Sequence, residues 1–239
     1  MTLRTLLVVL LLIPDTIICA ILAMLVGIFN PYSHLNTLVM RGFTYIVLKA
    51  AGVKREIIGL EYLEPGQPYI VIANHQSHMD IPVLVNSLPL ELRIISKKEL
   101  FKIPFFGWGM KGAGILSVDR SNRRKAIETL KKAEQIVVEK KLSILAFPEG
   151  TRSNDGKLQP FKKGPFVLAI NTGLPILPVS ISGTRRILPK GSLKFRSGRV
   201  RVVVHPPIPT RDFKLEDRHQ LVEQAEKVVA SGFIENYNG

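Results

Sequence analysis

The chain opens on an almost unbroken apolar run. From Leu3 to Phe29 it reads LRTLLVVLLLIPDTIICAILAMLVGIF. At the rise of an α-helix this spans about 40 Å, more than the hydrocarbon core of a bilayer. Two residues interrupt the pattern. Pro14 has no amide hydrogen and kinks a helix, and Asp15 is costly at the bilayer centre. Together they favour a segment that dips into one leaflet and returns near Pro14–Asp15 over a clean crossing. A cleaved signal peptide starting at Arg4 is the competing reading, but the apolar run continues well past any cleavage point near Ala20, so the segment reads as a retained anchor. The next stretch, Leu35–Val53, carries Leu35, Leu38, Val39, Phe43, Ile46, Val47 and Ala50 at helical spacing, with Thr37, Arg41 and Thr44 on another face. Such a helix either lies in the interface, with Arg41, Lys49, Lys54 and Arg55 near anionic head groups, or packs its apolar face on the rest of the protein.

Beyond residue 55 the period shortens. Tyr69–Ala73, Arg93–Ser96, Ile115–Val118, Ser143–Phe147 and Ile176–Ile181 read as buried strands, and the more alternating Arg199–His205 as an edge strand. Between them Arg123–Lys140 is amphipathic, with Ala126, Leu130, Ala133 and Val137 on one face. Phe161–Asn171 is a shorter helix stopped near Gly173, and Glu216–Ala230 a terminal one. Strands alternating with helices predict an α/β fold: a mixed, largely covered β-sheet flanked by helices. The expected division is residues 1–55 as membrane-anchoring helices and 56–239 as the α/β domain.

Composition narrows the class. Of 239 residues, 46% are hydrophobic and 22% charged, which excludes a disordered chain and a polytopic membrane protein. Lys and Arg outnumber Asp and Glu by 33 to 19, for a net charge of +14. That surplus favours anionic partners: a bilayer face, nucleic acid or a phosphorylated substrate. No nucleic-acid-binding module is recognisable. Cys19 is the one cysteine, so a disulfide framework within the chain is excluded.

Four short blocks carry candidate chemistry. Asn74–Asp80, NHQSHMD, follows a strand. Five residues apart in a continuous helix, His75 and Asp80 would point away from each other. They meet only if His75 lies in the strand-to-helix turn, and the S-x-x-D pattern at Ser77 and Asp80 supports a helix starting at Ser77. A carboxylate on one imidazole nitrogen fixes the tautomer and leaves the other free as a base. Asp80 as a mere helix cap is the plainer alternative, and His75, His78 and Asp80 as metal ligands a third. Phe147–Ser153, FPEGTRS, offers Gly150 for close approach, Thr151 and Ser153 as hydroxyls and Arg152 as a phosphate fork, with Glu149 to orient it. Gly114–Arg120, GILSVDR, ends on Arg120, a second candidate phosphate contact. Near that block, though not one of the four, Lys97–Gly107 mixes cations with Leu100, Phe101, Phe105 and Phe106, as a lipid-facing or simply a packed segment would. Leu174–Val179, LPILPV, reads as a bounded or edge-like strand walling an acyl groove.

In order and spacing, these blocks resemble the 1-acyl-sn-glycerol-3-phosphate acyltransferase family over roughly residues 68–209, with FKKG at Phe161–Gly164 resembling the segment after the third block. The resemblance implies acyl transfer from acyl-CoA or acyl carrier protein to the sn-2 hydroxyl of lysophosphatidic acid. It implies His75 as general base and Asp80 as its orienting partner. Glu149, Gly150, Thr151, Arg152 and Arg120 would hold the acceptor, with help from Lys98 or Lys102, and neither cofactor nor metal is expected. An acyl-cysteine on the remote Cys19 does not fit, and an acyl-serine on Ser77 lacks the usual nucleophile elbow. The basic surface would face the cytoplasm at the inner face of the cell membrane. Another lysophospholipid or an amino-acid lipid is the alternative acceptor. A non-enzymatic binder and a metal-dependent hydrolase are the alternative classes.

Overall fold

The apolar runs become strands because each is covered on both sides, as parallel sheets require. The computed structural model describes residues 3–119 and 123–238. Its strands are β1 (Val53–Ile58), β2 (Ile70–Ala73), β3 (Leu92–Lys97), β4 (Leu116–Val118), β5 (Ser143–Ala146), β6 (Ile176–Ser182) and β7 (Gly198–Val204). They form one sheet in the order β1-β7-β6-β2-β5-β3-β4. Every neighbouring pair is parallel except β6 and β7.

Side chains alternate between two cores, as the period of a strand dictates. Val71, Leu145, Val179 and Val202 face α1 (Leu3–Phe29), α2 (His34–Ala51) and α3 (Asp80–Ser87). Ile70, Ile72, Ile144 and Ile176 face α5 (Arg123–Lys140), α6 (Gly164–Thr172) and α8 (Arg218–Gly232). The remaining helices are short: α4 (Phe106–Gly112) and α7 (Thr184–Ile187).

Several expectations need correction. Arg199–His205 is not at an edge: β7 is covered by β1, whose run VKREII hides its alternation behind three charges. Nor is LPILPV edge-like. β6 lies between β7 and β2 with every residue buried. Pro178 is tolerated there because it sits just where β7 ends, and its carbonyl still accepts the His205 amide at 3.0 Å. The helix expected from Phe161 starts at Gly164, where Pro165 fits the first turn.

α1 runs unbroken through Pro14, so the chain does not turn back at Pro14–Asp15. It turns at residues 30–33, where the Ser33 hydroxyl accepts the Asn36 amide and starts α2. Burial on α2 also differs from expectation. Thr37, Met40, Thr44, Val47 and Ala51 face inward, while Leu35, Leu38, Tyr45 and Ile46 are exposed. Arg41 donates to the carbonyls of Leu88 and Leu90 at the end of α3 and is therefore held by the protein, not by lipid. α1 lies very close to α4: a Cβ on Gly27 would stand 2.4 Å from the Gly112 carbonyl oxygen. Leu10, Ile13, Ile18, Leu25, Ile28 and Phe29 stay exposed along α1.

Arg93, on β3, anchors this helical pair. It is fully buried, and its guanidinium donates to Thr37 Oγ1 (2.9 Å), Leu92 O (2.8 Å), Ser33 O (3.0 Å) and Pro31 O (3.4 Å). Burial lowers its pKa to about 10, which leaves it charged at neutral pH. Arg93→Ala strands those acceptors in the interior, and the unfolding free energy should fall by about 3 kcal/mol. Thermal unfolding in mild detergent reads this. Arg93→Lys should recover only part of the loss, because one ammonium cannot fork onto both turn and helix.

Candidate active site

The ends of β2, β5 and β6 lie side by side and point the same way, so the loops that follow them converge, as at the carboxyl edge of other parallel sheets. The β2 loop carries His75. Its Nδ1 stands 2.7 Å from Asp80 Oδ2, and the two meet because Asp80 begins α3 while His75 remains in the turn. The helix therefore starts three residues later than Ser77. The capping pattern is half present: Asp80 Oδ2 accepts the Ser77 amide at 2.8 Å. The Ser77 hydroxyl, however, accepts from Met79 and donates to the Leu188 carbonyl.

Asp80 is fully buried. Besides the imidazole and Ser77, Oδ2 accepts the Gln76 amide (2.7 Å) and Oδ1 accepts the Thr184 hydroxyl (2.5 Å). Two amides, one hydroxyl and the imidazole thus engage both oxygens of this carboxyl group. The His75 ring stacks on Phe147 from the β5 loop, with centroids 4.1 Å apart. Its side chain keeps 14% exposure, and its Nε2 makes no hydrogen bond among the described residues.

The third block lies beside this pair. Glu149 is buried, and its Oε1 accepts the His75 amide at 2.7 Å while Oε2 accepts that of Gln159 at 3.3 Å. Burial pushes its carboxyl up to about 8, against the opposing pull of those two amides. Both oxygens thus brace the backbone, and Glu149 does not face outward to hold an acceptor. The Ser153 amide donates to the His75 carbonyl, locking the two loops together. Gly150 adopts φ 74°, a conformation that favours glycine. Thr151 is exposed and Arg152 half-buried. Burial lowers the Arg152 pKa and the nearby Asp80 charge raises it; its guanidinium has no hydrogen bond among the described residues.

Other expected residues lie elsewhere. Lys98 Nζ is engaged by Asp119 Oδ2 at 2.6 Å. Lys102 is exposed at the end of a short turn and forms no ion pair among the described residues. Arg120 falls outside the described residues. Among those described, no group of three or more His, Cys, Asp or Glu side chains stands close enough to hold a metal.

Two functional positions escaped the sequence reading. Asn74, fully buried, accepts the Ile181 amide and donates to the Ile181 carbonyl (2.8 and 2.9 Å), replacing a strand partner where β2 ends. Thr184 follows β6 as His75 follows β2, and that shared place after a strand was the available signal.

An apolar cavity of 340 Å³ adjoins the site, lined by Leu12, Val39, Phe43, Met79 and Met110 and reaching His78 and Leu188. Its walls come mainly from α1, α2, α3 and α4, with Ile94 and Ser96 of β3 and with Phe195, and not from LPILPV. Cys19, remote in sequence from the His75 block, lies in its wall with its thiol donating to Asp15.

The Acyltransferase family profile matches residues 54–182, more than half of the chain. The chain is similar to a chloroplastic 1-acyl-sn-glycerol-3-phosphate acyltransferase, BAT2 of Brassica napus, at 43% identity over 157 residues (65% of this chain, 45% of that protein). It is 33% identical to the alpha enzyme of Ovis aries, over 77% of this chain and 64% of that one. The 1-acyl-sn-glycerol-3-phosphate acyltransferase of Saccharomyces cerevisiae is 37% identical over 89% of this chain and 68% of its own length. The chain thus spans less than two-thirds of the length of the first two relatives. The crystal structure of the 1-acyl-sn-glycerophosphate (LPA) acyltransferase PlsC of Thermotoga maritima matches with a TM-score of 0.75 at 29% identity, covering 96% of each chain. The chain belongs to the 1-acyl-sn-glycerol-3-phosphate acyltransferase family.

Proposed function

We propose that the chain transfers a fatty acyl group from a thioester, acyl-CoA or acyl carrier protein, to the sn-2 hydroxyl of lysophosphatidic acid, giving phosphatidic acid. The observation that carries this reading is an imidazole held on a buried carboxylate, with its other nitrogen unbonded, beside an apolar cavity. Nδ1–H donates to Asp80, so Nε2 is the free base. It takes the hydroxyl proton as that oxygen attacks the thioester carbonyl. The tetrahedral intermediate then collapses, the C–S bond breaks, and the imidazolium returns the proton to the departing thiolate. Asp80 holds the ring and stabilises its charge. Ser77 does not suit an acyl-enzyme route, because its hydroxyl is fully buried and donates to Leu188.

The acyl chain would lie in the cavity, and Arg152 would face the acceptor phosphate. The exposed apolar faces of α1 and α2 support a site at a membrane surface. α1 is long and apolar enough to cross a bilayer by length and composition. Ile103 and Phe105 just before α4, and Trp108 within it, are also exposed, and α4 packs on α1. An aromatic of this kind suits the level of the head groups. Residues 1–55 are the anchoring part in this reading. The basic charge favours the cytoplasmic leaflet, where anionic lipids lie.

A labelled thioester donor offered with a panel of acceptors tests the assignment. Transfer to other lysophospholipids with none to lysophosphatidic acid would overturn it. His75→Ala should lower transfer about a thousandfold, with circular dichroism unchanged. Asp80→Asn should lose a comparable factor, since an amide cannot accept from all four donors.

Glu149 adds a pH signature. Its folded pKa of about 8 lies above its ordinary value of 4.5. Its contribution to stability is therefore complete below the unfolded value and lost as pH rises through the folded one. Between those limits stability should fall with a slope of up to about 1.4 kcal/mol per pH unit. Glu149→Gln should flatten that slope in denaturation curves taken from pH 5 to pH 8.

A further inference from the structure

From Gly156 to Arg211 the chain carries eleven of its 33 cations and none of its 19 acids, so most of its surplus charge belongs to one stretch. That stretch includes β6 and the loop after it. Most of these cations are ordinary exposed side chains. Lys190 is different. It is half-buried, and its Nζ donates to the Arg152 carbonyl at 2.7 Å and to Thr151 Oγ1 at 3.4 Å. Both acceptors are neutral, and no carboxylate stands within ion-pair distance of it among the described residues. An ammonium has three N–H donors, so one remains.

Two more cations meet at the same turn. The Arg152 guanidinium has no hydrogen bond among the described residues. Lys162 Nζ lies over Gly150, where an added Cβ would stand 2.7 Å from it. Lys162 is held in place by its amide, which donates to the Pro148 carbonyl at 2.9 Å. Three positive charges around one turn repel each other unless an anion joins them. Glu149 does not serve, because it is buried beneath the loop with both oxygens engaged.

We infer that Lys190, which lies outside all four sequence blocks, is a direct ligand of the acceptor's phosphate and shares it with Arg152 and Lys162. This rests on the reading of the acceptor as a phosphomonoester. Lys190 also joins the two halves of the donor–acceptor geometry. Leu188, two residues earlier, lines the acyl cavity, while Lys190 reaches the turn beside His75. One short loop would thus set the distance between acyl chain and acceptor phosphate.

Steady-state kinetics on Lys190→Gln and Lys190→Arg test this. For Lys190→Gln, the KM for lysophosphatidic acid should rise about 10- to 100-fold, the range of one charge-assisted hydrogen bond. kcat and the KM for the thioester should stay within about twofold, and Lys190→Arg should recover most of the loss. An unchanged KM for lysophosphatidic acid would overturn the inference. So would an equal loss toward donor and acceptor, which is what a purely structural tether predicts. Calorimetric binding of lysophosphatidic acid to His75→Ala, with and without Lys190→Gln, separates the two claims. Weaker binding in the double variant supports the Lys190 assignment even if turnover proves to favour another acceptor, and equal binding sinks it. Wild-type protein that acylates other lipids but never lysophosphatidic acid refutes the proposed reaction instead.

Discussion

The structure depends on one buried carboxylate. Asp80 has no exposure, and an ion in such a place is tolerated only when donors replace water. Its four donors come from three places: the His75 ring, the Gln76 and Ser77 amides, and the Thr184 hydroxyl. The same bonds that satisfy the charge therefore fix the imidazole, shape the turn before α3 and tie that turn to the loop after β6. The geometry of the His75–Asp80 pair and local folding are one requirement here. Asn74 extends it, since its side chain holds the end of β2 against β6 just where the chain leaves the sheet.

Around that anchor the fold separates what must be wet from what must be dry. The carboxyl ends of β2, β5 and β6 collect backbone amides, hydroxyls and cations. The four helices α1 to α4 enclose the apolar cavity on the neighbouring side. His75 stands at the boundary. A hydroxyl on a charged head group and a carbonyl on a fatty chain have opposite solvation needs, and both can reach the imidazole only at such a seam. The exposed apolar residues of α1 and α2 continue the dry side outward, and in the proposed reaction this would let lipid arrive without crossing water.

What could be read from the chain follows the same physical division. The strands at Tyr69–Ala73 and Ser143–Phe147 and the amphipathic helix at Arg123–Lys140 were legible, because period and burial agree there. The His75–Asp80 pairing was also legible, since only a bend before a helix brings residues five apart together. β1 was hidden because its alternating face bears charge. β6 looked like an edge because Pro178 cannot donate, whereas the bond it lacks falls where β7 has already ended. The direction of Glu149 was out of reach. A carboxylate in a loop beside arginine suggests an ion pair, and only the approach of the His75 and Gln159 amides turns it inward.

Two acids, Asp80 and Glu149, lie within interaction range of each other, and each accepts backbone amides from the same loop. Their different fates follow from their donors. Asp80 gains an imidazole and a hydroxyl as well as its amides, while Glu149 has amides alone and burial dominates it. Ionising both would put two negative charges beside the imidazole. Keeping the second carboxyl neutral below a pH of about 8 leaves Asp80 as the carboxylate bonded to the imidazole. A neutral Glu149 offers no counter-charge to the cations around the Gly150–Arg152 turn, and Asp80, whose charge does act on Arg152, is engaged with its own four partners. In the proposed reaction that arrangement would keep the positive charge of the turn available to an acceptor phosphate.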